Sequence, residues 1–132
     1  MSLYLAVFNN QDEELDGWVF GRYSDFGAFR DVLADLVEPE VFPLLLGHSD
    51  CDGNWPVAEL PRLKQELRTI GRILRGVSPR ELTDSFQHTA EYRKGARSLY
   101  ECFHNVDGEN VIEALIRLCD LGVESHNPIL FQ

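Results

Sequence analysis

The stretch "LLLGHSDCDGNWP", Leu44 to Pro56, places a histidine, a serine, a cysteine and two aspartates in the five positions His48 to Asp52. Three chemistries use such side chains. A nucleophile elbow, G-x-S-x-G, needs small residues on both sides of its serine because the backbone turns sharply there. Here Gly47 and Ser49 fit, but Cys51 stands at the second glycine, and His88, His104 and His126 are each isolated as candidate bases. A calcium loop requires an oxygen ligand first, a glycine sixth and a bidentate acid twelfth. With Gly53 as the sixth residue, Asp50, Asp52 and Glu59 fall at positions three, five and twelve, while the first position holds the imidazole of His48. A transition-metal or hydrolytic site would use His48, Asp50 and Asp52, which point one way if the segment is extended. It needs a second cluster of ligands, which the chain does not supply at any recognisable spacing.

The alternative is structural. Asp50, Asp52, Gly53 and Asn54 are turn formers, Gly53 admits a positive φ angle, and a buried Trp55 would anchor the turn. Cys51 has no strong base beside it except His48, three residues away, so nothing in the sequence marks it as a reactive thiol. The segment is thus expected to be an acidic turn without catalytic or metal function, and a metal-binding protein or metal-dependent hydrolase built on His48 to Asp52 is the competing reading.

The elements that must position this turn follow from periodicity. The chain has 132 residues, 44% of them apolar and 26% charged, which suits one globular domain covering residues 1–132. "LYLAVF", Leu3 to Phe8, reads as a central strand, and "WVF", Trp18 to Phe20, as its hairpin partner. Ser24 is the expected cap of a helix whose stripe is Phe26, Phe29, Val32, Leu33 and Leu36, stopped by Pro39. Leu60, Leu63, Leu67, Ile70 and Leu74 mark a second helix with Pro61 in its first turn and Gly76 at its end. Residues 79 to 96 are polar and weakly periodic. "SLYECF", Ser98 to Phe103, reads as a strand. Asp107 is the expected cap of a third helix with a stripe of Val111, Ile112, Leu115, Leu118 and Cys119, stopped by Gly122. "NPILFQ" is too apolar to hang free and predicts a terminal strand. The fold class expected is α+β, a mostly antiparallel sheet against about three helices.

Charge is unevenly spread. Residues 1 to 60 carry twelve acids against Arg22 and Arg30, and residues 61 to 132 carry ten of each sign, so the formal net charge of −10 belongs to the first half. Such a field disfavours nucleic acid as a partner and attracts a basic protein. There is no signal-peptide pattern and no apolar run long enough for a membrane span, so the expected location is cytoplasmic. Three cysteines without C-x-x-C spacing suit reduced thiols.

Five segments, "LYLAVF", "DEELDGWVFGRYSDFGAFRD", "FPLLLGHSDCDGNWP", "LPRLKQELRTI" and "NPILFQ", together resemble the immunity protein 70 family of bacterial polymorphic toxin systems. The resemblance covers nearly the whole chain and rests on the order and spacing of several segments. It implies a small cytoplasmic protein that binds and neutralises a cognate toxin, with no enzymatic activity and no cofactor. The two acidic segments are the candidate contact surface: Glu13, Glu14, Asp16, Asp50 and Asp52 would steer a basic toxin, and Trp18 or Trp55 would anchor it if exposed, with core packing the alternative for both and the stronger one for Trp55.

Overall fold

The computed structural model describes residues 2–49, 52–79, 95–105 and 107–132. The chain opens with a hairpin of β1 (Ser2–Phe8) and β2 (Glu14–Arg22). Asn9 closes its turn, with Oδ1 accepting from the amides of Gln11 and Glu13 at 2.9 and 3.0 Å. Helix α1 (Tyr23–Leu36) follows directly, then a 3-10 turn at Pro39–Val41, the one-turn helix α2 (Pro43–Leu46) and the two-residue strand β3 (Asn54–Trp55). A 3-10 turn at Val57–Glu59 leads into α3 (Leu60–Arg75). After a further 3-10 turn at Leu99–Cys102, α4 (Val111–Ser125) and β4 (Ile129–Phe131) complete the described elements.

The sheet order is β2-β1-β4-β3, and every pairing is antiparallel. The α+β expectation therefore holds, with three long helices and the α2 turn. Alternation sets the faces: Leu3, Leu5 and Val7 of β1 turn inward with Trp18 and Phe20 of β2 and with Ile129 and Phe131 of β4. The expected stripes of α3 and α4 are buried in the same core, and so is that of α1 except for half-buried Leu36. Each fully buried leucine contributes about 2 kcal/mol of transfer free energy.

Several local expectations are corrected. Ser24 lies inside α1; Arg22 is the cap residue, and its amide donates to Asp25 Oδ2 at 2.7 Å, so the acid in the first turn does the capping. Residues 99–102 form a 3-10 turn in place of a strand; Leu99, Tyr100 and Cys102 are all buried, and burial on every side removes the periodicity that separates strand from helix. Asn110, rather than Asp107, caps α4 by accepting from the Glu113 amide at 3.1 Å, and its Nδ2 donates to the Tyr100 carbonyl. Gly122 does not end α4, which runs to Ser125 and closes at His126 with φ 59°. The glycine serves close packing instead: a Cβ there would meet Leu60 and would lie 2.7 Å from the Asn127 carbonyl oxygen. The polar, weakly periodic stretch at 79 to 96 lies mostly outside the described residues.

Candidate functional site

Gly47 to Ser49 and Asp52 to Trp55 are held by contacts to α1, α2 and β4, and α2 is held in turn by α3. The α2 turn ends with the Gly47 amide on the Pro43 carbonyl, and two of its own amides, Leu44 and Leu45, donate to the buried Glu66 carboxylate of α3 at 3.4 and 3.1 Å. Burial pushes the Glu66 carboxyl above its ordinary range, and those two amides and Arg62 oppose the push. Trp55 is fully buried and donates from Nε1 to the Leu44 carbonyl at 2.8 Å. The Arg30 guanidinium of α1 donates to the His48 carbonyl and lies over the Phe26 ring.

His48 sits at the centre of this arrangement. Its ring stacks on Phe131 at 4.1 Å between centroids and 20° between planes, and lies 4.9 Å from Trp55. Nδ1 is 2.8 Å from the Ser49 carbonyl oxygen and Nε2 is 2.9 Å from that of Asn54. A metal ligand must turn a nitrogen lone pair to the ion, and both nitrogens here face backbone oxygens. Gly53 has φ 88°, the positive angle expected of it. Asp52 is exposed; Asp50 and Cys51 lie outside the described residues. Among the described residues, no three of His, Cys, Asp and Glu are grouped to hold a metal ion. The order of elements also opposes the elbow, because a helical turn precedes Ser49 and a strand follows it. The calcium register fails at its entry, where α2 has four residues and His48 is committed to the backbone.

The other acidic segment is the hairpin. Glu13 and Glu14 are exposed. The Tyr4 hydroxyl donates to Glu14 Oε1 at 2.6 Å, and this bond, with burial and the charge of Glu14, pushes the tyrosine up to about 12. Asp16 accepts from Arg117 Nε at 2.8 Å, and Arg117 also donates to Glu109 Oε2 at 2.7 Å. The arginine bond holds the Glu109 carboxyl below its usual value. Trp18 is 3% exposed and stacked against Phe20, so the condition for its role as an exposed anchor is not met.

The two acidic segments are not adjacent. Glu14 and Asp16 lie on β2 and Asn54 on β3, the opposite edges of the sheet, separated by β1 and β4, which is three strand spacings or about 14 Å. The structure instead joins Asp16 to α4, whose outward residues Glu113, Asp120 and Glu124 extend the acidic surface. This partnership spans 101 positions and has no local signature in the sequence. Helical spacing of the α4 acids was the one signal that could have revealed their common face, and the balanced charge of residues 61 to 132 concealed it. Five bases and one acid of that half lie on α3, and three acids and one base on α4.

No helix among the described residues is long and apolar enough to cross a membrane. Comparison with curated proteins and with solved structures gave no significant match. The family model for Immunity protein 70 matches residues 5–131, nearly the whole chain, and the protein belongs to that family.

Proposed function

We propose that this chain is a cytoplasmic immunity protein that binds a cognate toxin of a polymorphic toxin system and neutralises it without catalysing a reaction. The observation that carries the reading is the family match over residues 5–131. His48 adds support, since both of its ring nitrogens face backbone carbonyl oxygens. The partner has a basic surface. Glu13 and Glu14, exposed on the hairpin, attract it at long range, with Asp16 beside them and Asp52, next to Asp50 in sequence, on the opposite edge. The same acidic field keeps nucleic acid from being the partner.

The test is co-expression with the toxin domain encoded in the neighbouring reading frame. Cells should survive with this chain present and die without it, and the two purified proteins should form a complex. Survival that does not depend on this chain would remove the reading. Steering is checked separately: Glu13→Lys with Glu14→Lys should slow association at low salt by about tenfold and leave dissociation nearly unchanged. An unchanged association rate rules out steering by the hairpin. Asp16 is left out of this pair because its reversal would also repel Arg117.

A further inference from the structure

Leu15 is 42% exposed, on an edge strand whose neighbours are charged. The register explains why. Phe8 pairs with Glu14 and Val7 with Asp16, so Leu15 is the extra residue of a β-bulge, and bulges re-aim a side chain out of the ladder. With Ile116 and Leu121 of α4 it lines a surface groove of ≈ 630 Å³ between the start of β2 and the helix. Asp16, Glu113, Asp120 and Glu124 rim this groove. The bases near it are engaged: Arg117 is shared between Asp16 and Glu109, and Lys64 is paired with Asp120. With Glu109, the surface carries five acids against two bases, while its floor is aliphatic.

We infer that the Leu15–Ile116–Leu121 groove is the docking seat for one segment of the toxin, a segment that presents an apolar side chain flanked by lysine or arginine. The inference rests on the toxin-binding reading above and deepens it. Charge complementarity selects this occupant: an acidic or neutral peptide would leave the excess of acids over Arg117 and Lys64 uncompensated, whereas a basic one balances it as the apolar side chain displaces water from the floor. The division of labour follows from position. The hairpin acids set the association rate, and the groove sets the lifetime of the complex, because desolvated apolar contacts act mainly on dissociation.

The experiment uses the full-length chain and the purified toxin domain from the neighbouring reading frame, with association and dissociation rates measured separately. Leu15→Ser removes the aliphatic floor at an exposed position, Leu15→Met restores apolar bulk, and Glu124→Lys reverses one rim charge. Thermal melting of each variant shows that the fold is retained. Leu15→Ser and Glu124→Lys should each weaken binding by about tenfold, the former through faster dissociation, while Leu15→Met stays close to the parent. If the parent binds and protects while Leu15→Ser dissociates at the parental rate, the groove assignment is overturned and the immunity reading stands. If the parent neither binds nor protects, the immunity reading falls and takes the groove's occupant with it. A dimer of this chain that Leu15→Ser dissociates would give the seat to a second copy and also overturn the assignment.

Discussion

The Tyr4 hydroxyl reaches Glu14, the partner of Phe8 in the hairpin, and one hydroxyl bonded to one carboxylate makes that contact sensitive to pH. The tyrosine lies at about 12 in the folded chain against an ordinary 10.0. A group raised on folding stabilises the fold fully below its unfolded value and loses that contribution as pH climbs through the folded value, so the stability at stake disappears between pH 10 and about 12. Spectrophotometric titration should show one tyrosine ionising near 12, and Glu14→Gln should bring it down towards 10 and flatten the alkaline loss of stability. His48 makes a second case. His48→Ala removes the ring's hydrogen bonding to backbone carbonyl oxygen and the Phe131 stack, and should cost about 2–3 kcal/mol in denaturant unfolding. In "GHSDCDGNW" the positive φ of Gly53 and the burial of Trp55 were legible from residue type. The partners of the His48 nitrogens were not, since they depend on how the chain closes on Asn54.

At the scale of elements, the long apolar stripes were readable and the ends were not. The α3 and α4 stripes match the buried residues, as most of the α1 stripe does, because spacing of three and four is a property of the segment itself. The caps depend on competition among neighbours. Ser24 and Asp107 were both plausible, but Asp25 and Asn110 hold better positions, Asn110 through a second bond to Tyr100 that only the tertiary fold creates. Gly122 makes the same point from the other side. By propensity Ala would favour a helix interior by about 1 kcal/mol, yet Gly122→Ala should destabilise by about 1–3 kcal/mol because Leu60 and the Asn127 carbonyl occupy the space. Glu66 links α3 to α2. Glu66→Ala would leave the Leu44 and Leu45 amides without their acceptor and should cost about 1–3 kcal/mol, whereas Glu66→Gln keeps an oxygen there and should cost less.

Across the whole molecule, the contrast between an acidic first half and a balanced second half is a property of the sequence that the fold rearranges. The balance is made of two unlike helices, basic α3 and acidic α4, joined side by side through Lys64 and Asp120. The acidic surface therefore extends from the hairpin onto α4 and turns basic at α3. Toxin association should slow steeply as salt is raised from low to physiological ionic strength, with little change in dissociation, in rate measurements on the purified pair.

The order of the strands has a consequence in time. β3 lies at residues 54–55 and reaches the sheet only through β4 at residues 129–131, which also pairs with β1 at the other end of the sequence. A growing chain can form the β1–β2 hairpin early, but His48 and Trp55 have no Phe131 to pack against until more than seventy further residues have been made. Pairings this distant in sequence are slow to form, because the loop must close before any contact rewards it. The groove shares that delay through α4, while the hairpin acids do not. A nascent chain thus presents its charges to a toxin before it presents the seat that would hold one.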